Sequence, residues 1–194
     1  MTHPTARRLA ARRADFEEDT DLDAVELLIA QHRALEVKMK ALKESNDDAR
    51  RAELLAKAGD ELSVHLASEE EIFYPAVRAR RTEDILLESL EEHLSLKRLL
   101  ADLIELPVSA QTFAAKFQVL KEQTEHHHRE EEEHLFPKVL MLLDAGARAD
   151  LGRKMEALQQ RLQCRGAPRV AVAEQTEAAA PLQESPAPPE RRSR

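Results

Sequence analysis

Two pairs of histidine and glutamate spaced four apart, His65 with Glu69 and His127 with Glu131, and two single histidines, His32 and His93, are the residues of this 194-residue chain best suited to do chemistry. On a helix, residues four apart leave the same face one turn apart, so an imidazole nitrogen and a carboxylate oxygen can reach one ion together. Two such pairs can serve two ions. Four imidazoles and two carboxylates turned inward would be costly buried polar groups unless cations compensate them. Nitrogen and oxygen donors without thiolates suit iron, manganese or zinc, with carboxylates able to bridge two ions.

The elements that must position them read as helices. Val25, Leu28, His32, Leu35, Met39 and Leu42 fall at spacings of three and four, as do Leu54, Ala58, Leu62, His65, Glu69, Phe73 and Ala76. Leu86, Ser89, His93, Leu96, Leu100 and Leu103 form a third stripe, and Phe113, Phe117, Leu120, Thr124, His127, Glu131 and Leu135 a fourth. The segments begin near Asp23, Asp48, Thr82 and Ser109, and a shorter fifth follows near Ala147. Thr82, before Glu83 and Asp84, reads as a helix start, and Pro107 as the end of the third helix. Pro75 and Pro137 should bend or end the second and fourth.

The prolines match because a helix pair recurs. An offset of 61 residues puts Val25 on Leu86, His32 on His93 and Leu35 on Leu96. An offset of 62 puts His65 on His127, Glu69 on Glu131, Tyr74 on Phe136 and Pro75 on Pro137. Each copy reads as a histidine on its first helix and His-x-x-x-Glu on its second, so two half-sites face each other across a pseudo-twofold bundle.

A lone histidine on an apolar stripe is more often a hydrogen-bonded core residue than a ligand, but six ligand-type residues repeated in register are hard to account for that way. Within the run His126, His127, His128, the stripe selects His127. His126, His128 and His134 then read as surface residues, although a small error of phase would turn His128 inward. Glu70, Glu71, Glu130, Glu132 and Glu133 read as a solvated acidic face with supporting roles left open, and Glu36 and Lys97 as flexible surface residues. The Glu-x-x-His spacing of ferritin-like bundles occurs only in the fourth helix, at Glu125 to His128 and Glu131 to His134. A His-Glu-x-x-His motif, a phosphate-binding glycine loop and a nucleophile elbow are absent from the sequence.

Composition agrees with an all-α, up-down four-helix bundle: 42% apolar and 34% charged residues with only four glycines suit long amphipathic helices. We expect an N-terminal arm over 1–20, the bundle over 21–165, and a disordered Pro/Ala-rich tail over 166–194. A net charge of -8 attracts cations and argues against a nucleic-acid partner. The single Cys164 cannot form an internal disulfide, and neither a signal-peptide run nor a membrane span is legible, so the expected setting is the cytoplasm.

The segments His65 to Pro75 and His127 to Pro137 resemble the two signature helices of the hemerythrin-like, or HHE cation-binding, domains, and the resemblance covers about Asp21 to Leu143. It implies a non-haem di-iron centre bridged by Glu69, Glu131 and an oxygen or hydroxide, with His32 and His93 capping it and His65 and His127 completing it. The oxygen-carrying hemerythrins have a second histidine one turn after that of the third helix, where this chain has Lys97. They also place an aspartate five residues after the fourth-helix histidine, where Glu131 stands at four. The set is therefore more similar to bacterial HHE domains and to the iron-sensing domain of a ubiquitin-ligase subunit, and reversible oxygen carriage is not implied. With fewer protein ligands one ion should keep solvent or an open position, which permits oxygen, peroxide or nitric oxide chemistry.

The resulting expectation is a protein that holds two iron ions, with manganese or zinc as substitutes, and senses or handles iron, oxygen or reactive oxygen and nitrogen species. A peroxidase or catalase-like di-iron enzyme is the alternative. A third reading is a metal-free interaction module working through Arg7, Arg8, Arg12 and Arg13 or through the proline-rich tail.

Overall fold

A helix begins where a side chain can accept its unpaired amide hydrogens, and three of the long helices here begin that way. The computed structural model describes residues 22–184. Helix α1 (Ala24–Glu44) starts on a capping box: Asp23 accepts from the amides of Val25 and Glu26 at 2.9 and 3.1 Å, and Glu26 reaches back to the Asp23 amide. Asp47 caps α2 (Asp48–Ser68) through the Arg50 amide at 2.7 Å. Thr82 precedes α4 (Glu83–Glu105) but does not cap it. Its hydroxyl donates to the Val77 carbonyl at 2.8 Å and fastens the preceding loop instead.

Neither proline breaks its helix outright. Proline lacks an amide hydrogen and crowds the carbonyl four residues back, and the chain relieves this by widening one turn. Helix α2 passes through a π turn, Glu69–Phe73, closed by the Tyr74 amide on the Glu69 carbonyl, and runs on as α3 (Tyr74–Val77). Helix α5 (Gln111–Glu130) does the same through Glu131–Leu135 into α6 (Phe136–Leu142), closed by the Phe136 amide on the Glu131 carbonyl. Both π turns begin at a glutamate of the predicted site.

The four bundle helices α1, α2, α4 and α5 alternate in direction. One apolar cluster gathers Leu35, Leu42, Leu62, Leu96, Leu100, Phe113 and Phe117, and the other gathers Leu28, Phe73, Tyr74, Leu86, Leu135 and Phe136. Each fully buried leucine or phenylalanine contributes about 1.5–3 kcal/mol of transfer free energy. Between the clusters lies one polar layer, and it holds all six predicted residues. The order cluster, layer, cluster repeats along α1, α2 with α3, α4, and α5 with α6, which is why each stripe is interrupted by histidine near its middle.

The fifth helix, α7 (Ala145–Cys164), is capped by Asp144 through the Ala147 amide and runs 20 residues, as long as its neighbours rather than short. It packs on α1 and α2 through Leu151, Met155 and Leu158 and ends at Gly166, whose φ of 84° takes the left-handed conformation that favours glycine. Residues 166–184, which composition assigns to a structureless tail, lie along the bundle. A 3-10 helix (Pro168–Gln175) buries Val172 in the first cluster, Arg169 pairs with Asp60 at 2.6 Å, and Arg98 donates to the carbonyls of Thr176 and Glu177. The N-terminal arm, with its arginines, and residues 185–194 lie outside the described residues. Among the described residues no helix is long and apolar enough to cross a membrane.

Candidate metal centre

Helix phase brings the six residues together. His32 from α1, His65 and Glu69 from α2 and its π turn, His93 from α4, and His127 and Glu131 from α5 and its π turn are each 1% exposed or less. Glu69 Oε2 lies 3.4 Å from His65 Nε2 and 3.5 Å from His93 Nε2, and Glu131 Oε2 lies 3.3 Å from His32 Nε2 and 3.8 Å from His127 Nε2. Each carboxylate thus sits between its own helix's histidine and one from another helix. Two donor sets follow: His32, His65, Glu69 and Glu131 with ligand atoms within 4.8 Å of one another, and Glu69, His93 and His127 within the same limit.

The far nitrogen of every histidine in these sets is tied. His32 Nδ1 donates to Glu132 at 2.8 Å, His65 Nδ1 to the Gln31 amide oxygen at 2.9 Å, His93 Nδ1 to Glu70 at 3.0 Å and His127 Nδ1 to Glu92 at 2.8 Å. Such bonds fix the tautomer and ring angle and leave each Nε2 directed at the centre, as metal-bound histidines require. These partners obey the internal repeat as well: Gln31 falls on Glu92 at the 61-residue offset and Glu70 on Glu132 at 62. The repeat therefore carried the signal for them. What it lacked was the geometry showing that they face the rings and not water.

Three residues whose phase suggests the surface are covered. Glu70 is largely enclosed and also accepts from Lys97 Nζ at 2.7 Å, so Lys97, 5% exposed, is held beside His93 as an ion pair and not as a free surface chain. His128 is 6% exposed, its ring stacked on His32 with centroids 3.8 Å apart and 7° between the planes. His126, His134 and Glu36 are exposed, as their phase predicts. The fifth helix reaches the layer too. Gln159 donates to Ser68 Oγ at 2.7 Å and to the Gln31 oxygen that holds His65, and accepts from the Gln31 amide nitrogen at 2.7 Å. Tyr74 donates its hydroxyl to Glu131 Oε1 at 2.9 Å, 3.1 Å from His93 Nε2.

The electrostatics are those of a site built for cations. Burial first, and Glu131 second, push the Glu69 carboxyl well above its ordinary value. Burial also pushes Glu131 up, but His127 and then His32 outweigh it and hold that carboxyl well below the usual range. Burial holds His65 and His128 well down, each helped by His32, and lowers His93 against the pull of Glu70. His127 goes the other way: burial lowers it, but Glu131 and Glu92 outweigh burial and raise it. Among the described residues six buried donor atoms have no hydrogen-bond partner: Nε2 of His32, His65 and His128, both oxygens of Glu69, and Glu131 Oε2. Unpartnered buried atoms of this kind cost about 1–3 kcal/mol each, and two dications would satisfy them together. The donor set fits a pair of metal ions.

One consequence can be read in the metal-free protein. His65, His93 and His128 have folded values below the ordinary 6.5, so their contribution to stability is present above that pH and is lost as pH falls. Glu69, raised above its ordinary 4.5, acts oppositely between the two values, while His127 is protonated in both states there. With three histidines lowered against one carboxyl raised, unfolding takes up protons and stability should fall as pH drops below 6.5. Urea unfolding of chelator-treated protein at several pH values checks this, and a flat profile would contradict it.

A recess of about 410 Å³ between α1 and α5 opens beside Arg33, Arg129 and Glu132 and reaches His32 and His128, which gives small polar molecules an approach to the layer. Comparison with known proteins points the same way. The family model for the hemerythrin HHE cation binding domain matches residues 23–139, which span the four-helix bundle and every residue of the polar layer except Gln159. A crystal structure of a hemerythrin HHE cation binding domain-containing protein from Mycobacterium kansasii superposes with a TM-score of 0.66 at 23% identity, covering 79% of this chain and 98% of that one, and shares the fold. No curated protein matches the chain.

Proposed function

We propose, from the finding that the chain belongs to the hemerythrin HHE cation-binding domain family, that it is a non-haem di-iron protein that senses or handles iron, oxygen or reactive oxygen and nitrogen species. The observation that carries this reading is the cluster of unpartnered inward donors on His32, His65, Glu69 and Glu131, continued by His93 and His127. Glu69 and Glu131, each between histidines of two helices, are the residues to bridge the ions. The four Nδ1 partners hold the imidazoles ready, and Tyr74 fixes one oxygen of Glu131 while burial keeps its own hydroxyl protonated. When bound, the iron pair supplies one- and two-electron chemistry toward small oxidants. The recess past Arg33 and Arg129 suits a small polar ligand and not a polymer.

The test is anaerobic loading with ferrous iron followed by exposure to air, peroxide or nitric oxide. Near-ultraviolet charge-transfer absorption should develop with two irons per chain, and His65→Ala should lower iron binding at least tenfold. Absence of stoichiometric iron in the unaltered protein would refute the reading. A peroxide-consuming enzyme is favoured by one observation, the hydroxyl of Tyr74 against the centre. Disproportionation of many equivalents of hydrogen peroxide per site would establish it, and a single turnover would exclude it.

A further inference from the structure

The pseudo-twofold layer is broken at one place that changes the donor count. At the 62-residue offset His128 falls on Leu66, which is fully buried apolar core in the first repeat. The second repeat therefore puts an imidazole where symmetry calls for a hydrocarbon. That imidazole is buried and its Nε2 has no partner. It stacks in parallel on His32 and stands edge-on to His65, with centroids 5.3 Å apart. The donor atoms of His32, His65 and His128 all lie within 4.8 Å of one another. At the other half of the layer the donor set holds two histidines, His93 and His127, and Lys97 is engaged by Glu70.

We propose that His128 is a third imidazole ligand of the ion held by His32 and His65, so that the two ions of this centre are bound unequally, one by three histidines and the other by two. The proposal rests on the di-metal reading and adds to it a residue and an asymmetry. A simple packing role would be served as well by leucine, as Leu66 shows, and would leave no buried Nε2 unpartnered. An unpaired nitrogen there costs stability that a bound ion would recover. The approach recess reaches the same ring, so the three-histidine ion is the one nearer to it.

Cobalt(II) is the probe, because its visible absorption reports the number and kind of its ligands without any turnover. The full-length protein, stripped of metal, is titrated in four forms: unaltered, His128→Ala, His128→Phe and His134→Ala. Phenylalanine keeps a ring against His32 but removes the nitrogen, and His134 is an exposed histidine on the same segment. The unaltered protein and His134→Ala should take up two equivalents with the same spectrum. Both His128 variants should bind one equivalent at least tenfold more weakly, with altered visible bands from that ion alone. Two equivalents bound to His128→Phe with unchanged affinity and spectrum would overturn the role of His128 while leaving the di-metal reading intact. No uptake by the unaltered protein would defeat both. Circular dichroism of each variant separates loss of a ligand from loss of fold.

Discussion

Replacing Glu69 by methionine should abolish loading of the paired ions and, in the same molecule, stabilise the metal-free protein. The carboxyl is fully buried, both its oxygens lack hydrogen-bond partners, and burial with Glu131 beside it pushes it well above its ordinary value. An unsatisfied buried polar group costs about 1–3 kcal/mol, and an apolar side chain of similar length removes that cost. The same change removes the oxygen that lies within 3.5 Å of both His65 and His93, so the set with His93 and His127 loses its carboxylate and the set with His32 and His65 keeps Glu131 alone. Metal content should fall from two ions per chain to a substoichiometric level, while the urea midpoint of the metal-free form rises. Opposite signs in the two measurements distinguish a functional residue from a structural one. A drop in both would mean that Glu69 supports the fold without serving ions.

The second large effect lies away from the centre, at Gly152→Ala in α7. A Cβ there would stand 2.5 Å from the Leu22 carbonyl oxygen and 3.1 Å from the Ala24 amide nitrogen, both backbone atoms that cannot swing aside. The fifth helix must back away from the start of α1, straining the 2.7 Å pair between Arg148 and Asp23. Overpacking against backbone should cost about 2–3 kcal/mol. Because Gln159 lies on the same helix and holds Gln31, and Gln31 holds His65, metal affinity should weaken as well. Urea unfolding and metal titration measure the two. A stability change under about 0.5 kcal/mol would show that the helix tolerates displacement.

That coupling is not legible in the sequence, whereas the candidate donor set is. The four stripes and the repeat identify His32, His65, Glu69, His93, His127 and Glu131 because a polar residue recurring at one level of an apolar face is costly to bury unless it binds something. Nothing in Gly152 or Gln159 announces where α7 docks, since a helix with a weaker apolar stripe can lie against several grooves. Val172 presents the same difficulty, as one apolar residue in a proline- and alanine-rich segment. Lys97 reads as a surface chain because its own stripe does not say that Glu70, on another helix, covers it.

His128 has a more particular cause. The stripe through Leu120, Thr124 and Glu131 passes between the two histidines, three and four residues after Thr124, and both stand in regular α-helix ahead of the π turn, so a face slightly wider than one row admits both. Both rings then turn inward, one toward His93 and the other onto His32. Spacing alone does not say which of two adjacent imidazoles the facing helices will cover.

The most direct test of the central claim is the Mössbauer spectrum of protein loaded with isotopically enriched iron and oxidised in air. Two carboxylates placed between histidines of all four helices predict two ferric ions per chain, coupled through a bridge to a diamagnetic ground state, seen as quadrupole doublets without magnetic splitting at low temperature. A magnetically split spectrum of isolated ferric iron, at one ion per chain or fewer, would contradict the paired centre.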